Sequence, residues 1–127
     1  MTFIRCLVCV VVSGCSDAQF EPPVISDDVI LRFFCVDTIT RQTDRIGQPA
    51  SDALRRWLRY TLLEHVDNWT AVRTSMTSGD CVARGDGFAM YFYSDGVRVA
   101  VSSRMGENSF WRSLTNAASY ARSQQAR

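Results

Sequence analysis

Gly87-Phe88-Ala89-Met90-Tyr91-Phe92-Tyr93 and Val97-Arg98-Val99-Ala100-Val101-Ser102-Ser103 flank Asp95-Gly96, and this stretch decides the fold class. Asp-Gly between two alternating runs signals a two-residue β-hairpin turn, because glycine readily adopts the positive φ that such a turn demands. With the turn set there, Phe92 falls opposite Val99 and Met90 opposite Val101 on one face. Tyr93 opposite Arg98 and Tyr91 opposite Ala100 share the other. The first set is apolar and belongs to a core, so the second points away from it. Tyr91, Tyr93 and Arg98 are therefore a candidate interface, since tyrosine and arginine are enriched where proteins meet.

Upstream, residues 29–38 carry Val29, Ile30, Phe33, Phe34 and Val36, which predicts a strand buried on both faces. Residues 41–49, with Gly47 and Pro49, read as a loop. Across 50–66, Leu54, Trp57, Leu58, Thr61, Leu62 and Val66 recur at helical spacing. Arg55, Arg56, Arg59 and Glu64 take the other side as a solvated face, Ser51 is a candidate N-cap, and His65 in the last turn complements the helix dipole. Residues 69–76 and 81–83 read as further strands around a turn at Ser78-Gly79-Asp80. Downstream, Phe110, Leu114, Ala117 or Ala118, and Ala121 predict a second helix over 108–125, with Trp111 beside the stripe. The order β-α-β-(β)-β-β-α predicts an α+β domain: a mainly antiparallel sheet with both helices packed on one face.

The N-terminal end has a different character. A short apolar run, Cys6-Leu7-Val8-Cys9-Val10-Val11-Val12, leads into Ser13-Gly14-Cys15, after which the chain turns polar. The run is far shorter than the roughly 20 apolar residues that span a bilayer. Small residues immediately before a cysteine, behind such a run, resemble the lipobox of a bacterial lipoprotein. The resemblance covers about the first 16 residues and implies a signal peptide over 1–14, lipid attachment at Cys15, a lipidated tether over 15–27 and a single domain over 28–127. It implies no cofactor other than the covalent lipid. Ser16, rather than aspartate, directly after Cys15 favours the outer membrane, with the domain facing the periplasm.

With Cys6 and Cys9 removed and Cys15 acylated, Cys35 and Cys81 remain as an even pair in an oxidising compartment, which predicts one disulfide. A metal site is not expected, because His65 alone could supply a nitrogen ligand beside them. Removing Arg5 leaves 13 arginines against 13 acidic residues, a balance that gives no general attraction to nucleic acid. The chain has no lysine, which excludes lysine nucleophiles. One histidine and no free thiol argue against an enzyme, and no small-molecule substrate is predicted. Arg84-Gly85-Asp86 reads as turn chemistry rather than a recognition tripeptide.

The expected function is protein–protein contact with an envelope partner, as a small accessory subunit of a cell-envelope assembly of the secretion or conjugation type. In size, anchor and single disulfide the chain is similar to pilotins and secretion-system lipoproteins, although no family motif of theirs matches. The alternative is a periplasmic inhibitor or immunity lipoprotein that blocks a hydrolase or toxin through a protruding loop at 77–87.

Overall fold

The central hairpin forms, but two residues out of the expected register. In the computed structural model, which describes residues 20–36, 47–74, 76, 79–103 and 106–127, Met90 pairs with Val99, Tyr91 with Arg98 and Phe92 with Val97. The Tyr93 N–H donates to the Gly96 carbonyl at 2.8 Å, so Ser94 and Asp95 make the turn. Gly96 is needed for a different reason. It pairs with Ser113, and a Cβ there would run into the Trp111 ring and stand 2.6 Å from the Arg112 carbonyl oxygen. The Ser94 and Asp95 carbonyls accept from Asn116 and Leu114, at 2.7 and 2.9 Å, which ties the turn to the chain returning over it. A slip of two residues preserves the side-chain alternation, so both predicted faces survive.

Among the described residues, seven strands form one antiparallel sheet: β1 (Arg32–Cys35), β2 (Gln48–Pro49), β3 (Thr70–Val72), β4 (Cys81–Gly85), β5 (Phe88–Phe92), β6 (Gly96–Ser103) and β7 (Gly106–Ser113). Their spatial order is β2-β1-β4-β5-β6-β7-β3. The strand expected over 29–38 is shorter and alternates, with Arg32 exposed and Phe33 buried, so it is not buried on both faces. Two residues of the expected 41–49 loop, Gln48 and Pro49, add an edge strand to it. The 69–76 strand contracts to three residues, while the short 81–83 strand extends to Gly85. Of the stretch 77–87 expected to protrude as a loop, residues 81–85 lie inside the sheet between β1 and β5, while 77 and 78 lie outside the described residues.

The largest correction concerns 108–125. Its first part is β7, paired with both β6 and β3, and only Ala117–Gln125 is helical, here α2. Gly106, Ser109 and Ser113 are weak helix formers, and tertiary pairing overrides the three-to-four spacing of Phe110 and Leu114. Asn116 makes the change of direction with a left-handed backbone, φ 58°, a conformation asparagine tolerates better than most residues.

Helix α1 (Asp52–Arg56) runs on as a π-helical segment, Trp57–Leu62, and stops short of the expected 66. Leu54, Trp57, Leu58 and Leu62 enter the core as the periodicity required, whereas Val66 is exposed. His65 lies beyond the helix with φ −102° and ψ 83°, so it does not serve the helix dipole. That position is taken by Arg112 of β7, whose guanidinium donates to the Thr61 and Leu62 carbonyls at 3.1 and 3.0 Å. The arginines of α1 and its extension are not simply solvated either. Arg55 donates to the Ser26 and Val29 carbonyls, and Arg59 pairs with Asp27 at 3.2 Å.

These contacts hold part of the stretch read as tether. Ile25 is buried, and Phe20 stacks 4.9 Å from Trp69 and meets Phe110 edge-on at 5.0 Å. Packing therefore begins by Phe20, not at residue 28. Both helices and the segment 20–31 join one core with Phe33, Met90, Phe92, Val97, Val99 and Phe110 on one side of the sheet. Cys35 and Cys81 face each other across β1 and β4 and are joined, as predicted.

Ser51 links the helix ends. Its hydroxyl accepts from Leu54 N–H at 3.1 Å and donates to the Gln124 carbonyl at 2.9 Å, while its N–H donates to the Gln125 side chain at 2.8 Å. One hydroxyl thus caps α1 and holds the last turn of α2. Ser51→Ala is expected to cost about 1–2 kcal/mol, read as a lower urea midpoint with an unchanged slope.

Candidate docking face

Strand alternation assigns the side of the sheet opposite the helices. Two rungs cross it. Phe34, Val82, Tyr91, Arg98, Trp111 and Thr70 are successive cross-strand partners from β1 to β3. Beside them run Arg32, Arg84, Ala89, Ala100 and Ser109. Among the described residues, the helices and the 20–31 segment cover only the other side.

The three predicted interface residues come together here. The Arg98 guanidinium lies 4.2 Å from the centre of the Tyr91 ring. Its Nε donates to the Tyr93 hydroxyl at 3.2 Å, and a terminal nitrogen donates to the Ser109 hydroxyl at 3.3 Å. Tyr93 in turn packs against Trp111, with ring centres 5.4 Å apart. Five side chains, from β5 and the residue after it, β6 and β7, are thus fixed as a unit, each half-buried.

Phe34, Arg84 and Trp111 also belong to this surface, and the sequence reading did not place them there. Arg84 lies over the Phe34 ring at 5.9 Å, repeating the Arg98–Tyr91 arrangement one strand pair away. Between these stacks the short side chains of Ala89 and Ala100 leave a basin of about 210 Å³, bordered by Arg84, Tyr91, Ser102 and Glu107. A signal for Trp111 exists in Ser109-Phe110-Trp111-Arg112-Ser113, where side chains alternate between the two faces. The helical spacing of its larger apolar residues masks it.

A larger concavity, about 520 Å³, opens on the helix side among Trp57, Leu62, Arg112, Leu114, Asn116 and Tyr120. Its Arg112 is committed to the carbonyls of the π-helical segment. Among the described residues no group of three histidine, cysteine, aspartate or glutamate side chains could hold a metal ion. No helix among them is long and apolar enough to cross a membrane. Cys15 and the rest of the lipobox lie outside the described residues. Comparison of the chain with protein-family models, with curated proteins and with solved structures finds no match.

Proposed function

We propose that this chain is a lipid-anchored envelope protein that works by docking a protein partner on the open face of its sheet, as a small accessory subunit of a larger assembly. The observation that carries this reading is the rung Phe34, Val82, Tyr91, Arg98 and Trp111, which presents aromatic and guanidinium groups on the side away from the helices. Such groups supply most of the binding energy where proteins meet. Rigid strands hold them, and Arg98 is already fixed by Tyr91, Tyr93 and Ser109, so little entropy is lost on binding.

The sheet edges support the face rather than strand addition as the docking mode. One edge strand has three residues, and the other has two, one of them Pro49, so neither offers a long row of free backbone groups. The lipobox residues support the anchor. Each buried methylene of a lipid contributes about 0.8 kcal/mol, and two or more chains hold a protein stably. Cys15 precedes Phe20 by five positions, which bounds the free span to roughly 17 Å of extended chain.

The test uses the full chain in cells, with a photoreactive residue at Tyr91 or Tyr93 and a control at the exposed Tyr60 on the helix side. The expected result is one membrane-associated protein captured from the first two positions and not from Tyr60. Capture of a soluble hydrolase would instead favour an inhibitor, and capture from Tyr60 alone would remove the sheet face from the function. Cys15→Ser should release the chain from the membrane fraction and abolish fatty-acid labelling; persistence of both would overturn the anchor.

A further inference from the structure

We infer that the partner segment docked on this face is acidic, its carboxylates lying across Arg32, Arg84 and Arg98. The inference rests on the docking reading above and adds the chemistry of the partner. Arg32 and Arg84 are direct cross-strand partners on the open face. Like charges in that arrangement oppose strand pairing, and an opposite charge would be the stabilising choice. Among the described residues none of the three arginines has a carboxylate partner. Arg32 has the Gly47 carbonyl at 3.4 Å, Arg84 has the Phe34 ring, and Arg98 has rings and hydroxyls.

The contrast with the helix side decides the point. There Arg59 has Asp27, Arg55 has two carbonyls and Arg112 has two more. Those donors are spent on the backbone and on Asp27, whereas the open face gathers Arg32, Arg84 and Arg98 on two adjacent rungs with no carboxylate among the described residues. Stacking covers the flat side of a guanidinium and leaves in-plane N–H groups for a carboxylate, which they can grip with two parallel bonds. Two carboxylates, Asp80 and Glu107, stand at opposite ends of the strands. They favour acidic groups in the middle of the face and penalise them at its ends, which adds register to the recognition.

The same geometry argues for a protein rather than a nucleic acid. Base recognition on a sheet needs free aromatic faces. Here Phe34 lies under Arg84, Tyr91 under Arg98, and Tyr93 against Trp111. Phe20, five positions after Cys15, packs on Trp69 and Phe110 on the helix side, so the proposed anchor joins the domain on that side rather than on the open face.

The experiment measures binding of the full chain, in detergent micelles, to a fluorescein-labelled peptide of alternating glutamate and tyrosine. A glutamine–tyrosine peptide, oligothymidylate and anionic phospholipid vesicles serve as comparisons. The glutamate peptide should bind, and the glutamine peptide should bind at least about tenfold more weakly. Arg84→Glu and Arg98→Glu should each weaken binding about tenfold, while Arg56→Glu on α1 leaves it unchanged. Arg84→Glu should also keep the Tm at or above that of the parent, because it turns a like pair with Arg32 into an opposite one. Equal binding of the two peptides, an equal loss with Arg56→Glu, or a preference for oligothymidylate or vesicles would overturn the inference. If crosslinking at Tyr91 persists in that event, docking on the face stands and the acidic partner does not. Loss of that crosslinking as well removes both.

Discussion

Replacing Cys35 and Cys81 with serine is expected to lower stability by about 4 kcal/mol. The bond closes a loop of 46 positions, and its main contribution in the chain-entropy picture is to restrict the unfolded ensemble. Local structure makes the dependence stronger. β1 has four residues, and its outer neighbour β2 has two, so that edge of the sheet has few ladder bonds of its own. The bond fastens β1 to β4 at the end of their register, where Cys35 meets Cys81. A domain of this size has about 5–15 kcal/mol in total, so the loss is a large fraction of it. The measurement is urea unfolding of the oxidised protein, the reduced protein and the double serine variant. Reduced and serine forms should share a lower midpoint, and a midpoint equal to that of the oxidised form would refute the prediction.

What sequence could reveal of this fold depended on how local the deciding interaction was. The hairpin is local, and its two faces could be assigned although its register could not. Whether Asp95-Gly96 or Ser94-Asp95 makes the turn depends on Trp111 and Arg112, which crowd Gly96 from another strand. Asp86-Gly87, the other Asp-Gly pair, does occupy a two-residue loop, between Gly85 and Phe88, with Gly87 at φ 82°. The disulfide followed from counting cysteines, which needs no geometry. By contrast, the carbonyls at the end of the π-helical segment are satisfied by Arg112, some fifty positions away, and no periodicity within the helix can show that. Over residues 108–125 the apolar spacing of three and four fits both a helix and a strand followed by a helix, so the pattern alone does not separate the two.

The candidate site divides in the same way. Tyr91, Tyr93 and Arg98 share a face through one hairpin, so local alternation was sufficient to group them. Arg84 stacked on Phe34, and the opposition of Arg32 and Arg84, arise from β1 pairing with β4 across a long connection. That pairing follows from the whole sheet order. The charge arrangement that gives the face its chemistry was therefore hidden, and the near-neutral composition, +1 overall, further concealed it.

Phe92→Ala is expected to cost about 3–5 kcal/mol, and Tyr91→Ala, its neighbour, about 1 kcal/mol. Phe92 is fully buried, with its ring 5.8 Å from Trp57 of the π-helical segment and 6.2 Å from Phe33 of β1. It sits between Cys81 and Val97 in the ladder, and its carbonyl accepts from Asp80 N–H at 2.8 Å. Removing the ring leaves a cavity where helix and sheet meet, and a rigid sheet can close little of it. Phe92→Leu should recover much of the loss, because it restores volume. Tyr91 points the other way, and its truncation gives up a cation–π contact with Arg98 at a half-buried site. The two variants should therefore separate stability from docking: Phe92→Ala lowers the urea midpoint several times further than Tyr91→Ala does, while Tyr91→Ala keeps the domain folded and removes partner capture from Tyr93. An equal fall in midpoint for both would mean that the open face is packed like a second core, and its role as a docking surface would be lost with that result.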